Sequence, residues 1–545
     1  MNKIQIFSLG GLNENGKNMY VVSVNEDIFI FDAGLKYPDD RLFGIDYILP
    51  NYDYIKENYS KIKGIFISHG HDEQMGAIPD ILSEYPNIPV FATKFTLEIL
   101  KGELDGVKAT NLIEIKAHNK LVFGENSVFP ISLSHSVPDS VGYVLNTLDG
   151  AIVYTSNFVI DPMMIGGYQT DIGKLAYIGK QGVLCLLSES LYADKKGFTA
   201  PNHRVTSIFD ETINKYEGRL LVNIMQAELH RIQELFNVLK KDKRKVVILG
   251  KRLENIINYA IDAKYIEFDK ARLGNVREID NSVVVLISDE REKPFSNISR
   301  IVRGYDKFIK INSNDTVLFA SPTYEGLEKT AADLFDEIAK IGSNLIILSP
   351  KKYLEYHASS EDLLLMLNLM NPRYYFPVIG EYRHQVASAH LASKIGMPAA
   401  NILLKQNGDM ITIVDGKLTE DFTHIKTDEI LIDGKTSEDI GAAVLQDRLA
   451  LSENGIVVVN VTINKQTKAI VAGPEVLTRG FIFVKDNAEL ISKIEEIAKQ
   501  TMLENIKDNF IDFAKVRNAI REKLGKFLYK ETERNPMILV TIQEV

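Results

Sequence analysis

At 545 residues the chain is too long for one hydrophobic core and is expected to divide into about three or four domains or lobes. An apolar share of 45% and a charged share of 25% suit ordinary globular cores. With 73 acidic and 63 basic residues the net charge is −10, which excludes a protein that coats nucleic acid through its global field; RNA contact would need a local basic groove.

Residues 1–6 are not a basic region leading into a long apolar stretch, so no signal peptide is expected. No window approaches the roughly 18 apolar residues of a membrane span, and the expected compartment is the cytoplasm. Residues 1–200 read as short strands between Gly, Asn and Asp turns, with β-rich runs at 4–9, 19–24, 28–32 and 62–68 and a short helix pattern at 75–83. Such an opening suits a layered sandwich with helices outside. The single cysteine, Cys185, lies in the apolar run 183–187 as a buried strand residue, which excludes a disulfide framework.

From about 204 to 350 the rhythm changes. Apolar runs at 220–224, 246–249, 283–287, 317–320 and 344–348 alternate with helical patterns such as 229–239 and 327–341, which predicts a parallel sheet of βαβ units. Strand-like runs resume at 374–378, 402–404 and 410–414, so the parallel domain reads as an insertion. A mixed segment at 433–454 leads into a last domain. There Asn464-Lys465-Gln466-Thr467 predicts a hairpin between 455–463 and 469–472, Leu490, Ile491, Ile494 and Ile497 share a helix face, and 537–545 is a closing strand.

The most informative stretch is Ile65-Phe66-Ile67-Ser68-His69-Gly70-His71-Asp72-Glu73-Gln74. In extended backbone, side chains two apart project to one side, so His69 and His71 can meet one ion. Imidazole is a common zinc ligand, and three protein ligands plus water make a catalytic site. The competing reading of a His-x-His is a solvated strand end. His135, in a polar turn after a strand, and Asp32, closing the run 28–32, stand where side chains of neighbouring strands converge. His118, His203, His230, His357, His384, His390 and His424 are scattered and read singly as surface or cap residues.

This arrangement is similar to the metallo-β-lactamase signature His-x-His-x-Asp-His, and the chain more fully resembles the ribonuclease J family. The resembling segments include Leu9-Gly10-Gly11, Phe31-Asp32-Ala33-Gly34, Ser134-His135-Ser136-Val137-Pro138-Asp139, Tyr154-Thr155-Ser156-Asn157, Ser188-Glu189-Ser190, Gly380-Glu381-Tyr382-Arg383 and Arg479-Gly480-Phe481, in order along nearly the whole chain. The resemblance implies an α/β protein, α+β overall: a metallo-β-lactamase αββα sandwich, an inserted β-CASP parallel α/β domain and a small α+β C-terminal domain. The implied limits are 1–203 and 361–432 for the sandwich, 204–360 for β-CASP, 433–454 for a linker and 455–545 for a C-terminal oligomerisation domain. Family members cut RNA from its 5′ end and internally with two zinc ions, take part in rRNA maturation and mRNA turnover, and form dimers and tetramers.

The departures from the family lie in the chemistry. The signature aspartate is Glu73 and the last histidine Gln74; Asn157 stands where an aspartate bridges both metals, and Ile379 replaces a ligand histidine. The acid of the first β-CASP motif is Glu189, and Tyr353-Leu354-Glu355-Tyr356 stands where the family usually offers His-Val-Ser-Gly. Two-metal hydrolysis holds its ions about 3.5–4 Å apart. His69, His71 and His135 can still hold one zinc. The second ion loses Gln74, Asn157 and Ile379 as ligands, and Glu73 displaces its oxygens by about 1.5 Å. A two-metal centre is therefore not expected, and Glu73, Asn157 and Glu189 are degenerate catalytic positions.

The expectation is a metal-dependent ribonuclease by family that is weak or inactive by its site, resembling the degenerate second paralogue of the family. Its partners would be RNA, further copies in a homodimer or tetramer, and an active ribonuclease J paralogue. Alternatives are a slow mononuclear zinc ribonuclease and a non-cleaving binder of 5′-monophosphate RNA ends through Tyr353, His357 and Ser359. His357 also reads as the approach to a helix cap at Ser359-Ser360-Glu361. The basic run 240–245 is either an RNA backbone contact or a solvated turn. Glu381 and Arg383 read as a structural salt bridge.

Overall fold

The computed structural model describes residues 2–38, 42–225, 228–289, 295–323, 325–434, 442–482, 487–506 and 511–545. They form two compact units, Met1–Tyr37 with Tyr47–Ile430, and Pro38–Asp46 with Leu431–Val545.

Two mixed sheets face each other in the first unit. One runs, in spatial order, Lys417–Thr419, Ile411–Val414, Lys3–Gly10, Met19–Val24, Asp27–Phe31, Ile62–Phe66, Val90–Thr93 and Leu112–Ile115. The other runs Tyr374–Val378, Val183–Glu189, Gly150–Tyr154, Val141–Thr147, Asn126–Ser132 and Leu121–Phe123. Their inner faces share one core, in which Ile4, Phe29 and Phe66 meet Tyr143, Tyr154, Leu187 and Phe376. Phe66 stacks on Phe91 with centroids 4.7 Å apart and meets Tyr143 edge-on at 5.6 Å. Burying one such ring stabilises the fold by about 1.5–3 kcal/mol. Strands buried on both faces need helices outside. Ile172–Gln181, Ser360–Met370 and Tyr382–Lys394 supply them for the second sheet through Leu175, Met366, Leu367 and Leu391. This is the αββα sandwich.

The insertion is a six-stranded sheet ordered Leu273–Gly274, Val246–Leu249, Val284–Asp289, Leu220–Met225, Thr316–Phe319 and Asn344–Ile347, parallel throughout. Every residue of its central strand Leu220–Met225 is buried, as helices on both faces require. After it the chain re-enters the sandwich, where Tyr374–Val378 pairs in parallel with Val183–Glu189. That return brings residues near 357 and 379 beside loops formed by the first 200 residues.

The second unit is α+β. Ile456–Ile463 is central in a three-stranded sheet, antiparallel to Ile470–Arg479 and parallel to Met537–Glu544. Its buried residues alternate, and Val457, Val459 and Val461 pack on Ile494, Ile520 and Leu524 of helices Ala488–Glu504 and Phe513–Thr532.

Two local expectations are revised. The helix pattern at 75–83 splits into Asp72–Met75 and Ile78–Glu84. A Cβ on Gly76 would sit 2.5 Å from Leu35 Cγ, so the backbone approaches that side chain closely, and Pro79 opens the second helix, where its missing N–H costs nothing. Residues 402–404 form no strand; a 3₁₀ turn at Ala399–Asn401 leaves a single bridge from Ile402 to Tyr375. In the basic run 240–245, three of the five basic side chains have local partners. Lys240 pairs with Glu267 at 2.6 Å, Lys245 with Glu278 at 3.1 Å, and Arg244 with Asp242 and the carbonyls of Tyr216 and Gly218. Of the segment read as a linker, 435–441 lies outside the described residues and Ala442–Asn454 is helical.

Candidate metal centre

Strand Ile62–Phe66 ends just before Ser68-His69-Gly70-His71, and strand Asn126–Ser132 ends just before His135. The loop carrying His69 is held from below. Asp32, in the left-handed region at φ +60°, accepts from the Ser68 amide at 2.7 Å, the Ser68 hydroxyl at 2.8 Å and the Tyr154 hydroxyl at 2.6 Å. Asp32 thus positions the histidine loop rather than joining the histidines. Burial pushes its carboxyl up to about 7, against the pull of those donors.

The ligand nitrogens of His69, His71 and His135 lie within 4.8 Å of one another. Each ring has one nitrogen turned to a neighbour. His69 Nδ1 is 3.0 Å from Ser68 Oγ, His71 Nε2 is 3.3 Å from Ser136 Oγ, and His135 Nδ1 donates to the Tyr356 carbonyl at 2.9 Å. His135 Nε2 and His71 Nδ1 are 3.3 Å apart. Two nitrogens about 2.0–2.1 Å from a tetrahedral ion are separated by about that distance. His69 Nε2 is buried without a hydrogen-bond partner, the state expected of a nitrogen aimed at a cation. Burial first, and the neighbouring imidazoles second, hold His69 and His135 well below the ordinary histidine range. Neutral rings are what a metal needs. The three histidines fit one metal ion.

Beyond that trio most of the donors are engaged, though Gln74 Oε1 is buried without a hydrogen-bond partner. Gln74 Nε2 donates to Asn157 Oδ1 at 2.7 Å, and Asn157 Nδ2 donates to Glu189 Oε2 at 2.9 Å. Glu189 is fully buried and also accepts from the amides of Phe158 and Ala358 at 2.7 and 3.0 Å, with His357 Nδ1 at 3.0 Å. Ile379 packs in the core between the sheets. Its φ is +52°, its amide donates to the Gly11 carbonyl at 3.1 Å, and its carbonyl accepts from the Ser190 amide at 3.0 Å. A β-branched residue in this conformation is strained by about 1–3 kcal/mol. Asp72 is committed to Arg252 and Tyr37, at 2.9 and 2.8 Å.

His71, Glu73, Gln74, His135, Asn157 and His357 line one cleft of about 430 Å³. Of the three phosphate-contact positions, only His357 is among its lining residues. Ser359 closes a capping box with Asp362 on helix Ser360–Met370, and Tyr353 carries Lys352 over its ring at 5.1 Å. Arg383 pairs with Glu381 and Glu325.

Sequence reasoning missed the opposite wall, where Glu228, Glu355 and Tyr356 also line the cleft. His203 is buried there and His230 partly buried, rather than on the surface: His203 Nε2 lies 3.0 Å from Asp161 Oδ2, and His230 Nδ1 lies 3.0 Å from the Tyr356 hydroxyl. No local signal marks them, because Asp161, His203, His230 and Tyr356 meet only in the folded chain. Burial first, then His203, lowers His230 to about 3. A depressed histidine supports the fold above its unfolded value of about 6.5 and loses that support as pH falls towards 3. His230 should therefore cost about 2 kcal/mol by pH 5. In paired denaturant titrations at pH 7 and pH 5, His230→Gln is expected to lose less stability than the unsubstituted chain; equal losses would contradict this assignment.

The match with known proteins follows the same geometry. A family model described as the ribonuclease J β-CASP domain matches residues 217–338, and one described as the ribonuclease J C-terminal domain matches 443–545. Ribonuclease J2 of Bacillus subtilis is 34% identical across 99% of both chains, and ribonuclease J 2 of Streptococcus pyogenes is 34% identical across the whole of both. The chain belongs to the ribonuclease J family. Ribonuclease J 2 of Staphylococcus aureus is 33% identical over 99% of this chain and 98% of its own. A solved structure, a protein of unknown function from Enterococcus faecalis V583, shares the fold with TM-score 0.52, at 14% identity, over 76% of this chain and all of that one. Ribonuclease J membership accounts for the sandwich, the insertion and the three converging histidines together. Among the described residues no helix is long and apolar enough to cross a membrane.

Proposed function

We propose that this chain is a ribonuclease J-type subunit of RNA processing and decay, with weak or no cleavage of its own, that works assembled with an active ribonuclease J paralogue. The observation that carries the reading is the 2.7 Å bond between the Gln74 and Asn157 amides, at two positions where ligands for a second cation are expected. These amides are tied to each other and to Glu189 and offer no anionic donor, and Ile379 offers no lone pair at all. Without a second cation, the leaving oxygen of a phosphodiester lacks its stabiliser, at a cost of about 10²–10³ in rate.

A second reading, a slow mononuclear zinc ribonuclease, is favoured by His69, His71 and His135. When bound there, one zinc ion would supply Lewis-acid polarisation of a phosphodiester. The chain's own residues would do the rest. Asp32 and Ser68 orient His69, the Tyr356 carbonyl orients His135, and Glu189, saturated by four donors, fixes Asn157 and His357 instead of moving a proton.

The domain limits we favour are 1–203 and 361–432 for the sandwich, 204–360 for β-CASP and 455–545 for assembly. Support for assembly comes from the open face of the C-terminal sheet. Leu477 and Leu539 flank Val458 in register there, and both are exposed. Exposed apolar neighbours of this kind mark a covered surface. Tagged chain expressed beside an active paralogue is expected to co-purify with it, and Leu477→Glu with Leu539→Glu to weaken that association at least about tenfold. Recovery of homomeric protein alone would count against the subunit reading. The decisive assay measures metal per chain and RNA cleavage, for this protein alone and mixed with the paralogue.

A further inference from the structure

A 5′-monophosphate carries about −1.5 to −2 charges near pH 7. A pocket that holds it must replace its hydration with cations or converging N–H donors. Apart from an ion held by the three histidines, the cleft beside them is built the other way. Glu73, Glu228 and Glu355 are in its lining, and among the described residues no lysine or arginine is.

The guanidinium behind this wall is withdrawn from use. Arg231 is fully buried; its Nη1 donates to Glu228 at 2.7 Å, and its Nη2 lies 3.4 and 3.3 Å from the carbonyls of His203 and Leu354. The ring of Tyr356, itself in the lining, lies over it with the guanidinium carbon 5.4 Å from the centroid. Tyr356 is anchored, since its hydroxyl meets His230 and its ring packs with Val159, Met164 and Tyr168. Glu355 shares the charge of Arg231 with Glu228. It is 7% exposed, and its Oε1 has no hydrogen-bond partner. A buried carboxylate oxygen without a donor favours a cation or a hydroxyl donor beside it and repels an anion.

Resting on the RNA-subunit reading above, we infer that Glu355 and Tyr356 set the end-specificity of this cleft, admitting RNA with a 5′-hydroxyl end and turning away the 5′-monophosphate. A 5′-hydroxyl can donate to the Glu355 carboxylate, whereas a phosphate brings a further anion to a wall where one guanidinium, covered by the Tyr356 ring, is already shared by Glu228 and Glu355. One such charge pair about 7 Å apart, at a dielectric between that of protein and water, changes affinity by about tenfold.

The test uses the full chain and two fluorescent oligoribonucleotides of one sequence, one with a 5′-hydroxyl and one with a 5′-monophosphate, titrated by anisotropy at one salt concentration. The unsubstituted chain is expected to bind the hydroxyl form at least as tightly as the phosphorylated one. Glu355→Gln keeps the side chain's shape and removes its charge, and is expected to shift the ratio about tenfold towards the phosphorylated form. Severalfold tighter binding of the phosphorylated form by the unsubstituted chain, or an unchanged ratio in a folded Glu355→Gln protein, overturns the inference and leaves the RNA-subunit reading standing. No binding of either oligonucleotide overturns both.

Discussion

His71→Ala is expected to lower bound metal from one ion per chain to a small fraction and to abolish whatever slow RNA cleavage the unsubstituted protein shows. The centre has three imidazoles that converge within 4.8 Å, and removing one of three leaves a two-coordinate site. Because burial keeps His69 and His135 uncharged, the remaining rings are already in their binding form, so the loss cannot be offset by raising the pH. Altering only a residue that orients a ligand typically costs about 10–100-fold in affinity, so loss of a ligand itself should exceed 100-fold. Equilibrium dialysis with elemental analysis reads the stoichiometry, and a labelled RNA reads the cleavage. Residual cleavage that persists in His71→Ala belongs to a contaminating enzyme. Two ions in the unsubstituted chain would overturn the single-ion account.

Restoring the missing donors should have the opposite effect, and a larger one. The combined change Glu73→Asp, Gln74→His, Asn157→Asp and Ile379→His is expected to add a second ion and raise RNA turnover by about 10²–10³. The backbone is prepared for the last of these. At φ +52°, position 379 suits histidine better than isoleucine, and its amide and carbonyl are tied to Gly11 and Ser190 whatever side chain it carries. Replacing the Gln74–Asn157 amide pair with an imidazole and a carboxylate reintroduces charge beside Glu189, so the variant should be less stable without metal and recover on adding it. Melting temperature with and without zinc separates a failed fold from a failed site. A folded quadruple variant that binds one ion and cleaves no faster would show that the second centre was lost for reasons beyond these four side chains.

The histidine trio was legible in the sequence because two ligands are two residues apart on one strand end and the third follows a strand in a polar turn. The strained Ile379 and the amide pair were legible as departures, since each occupies a position where the family pattern calls for another residue type. The opposite wall was not. Glu228 and Arg231 stand one turn apart at the start of helix Leu229–Leu239, and they meet the segment of Glu355 only across more than one hundred residues, as in the 3.3 Å approach of Arg231 to the Leu354 carbonyl. In sequence, His203 and His230 look like isolated polar residues; set beside Asp161 and Tyr356, they form part of the cleft's supporting wall.

Periodicity and strand-end chemistry, written into neighbouring residues, determined the sandwich, the inserted parallel sheet and the place of the three imidazoles. Which donors were already engaged, and which charges the cleft would present to RNA, only the tertiary structure decided. A hydrogen bond or an ion pair depends on separations of about 3 Å, and for residues far apart along the chain folding alone sets those.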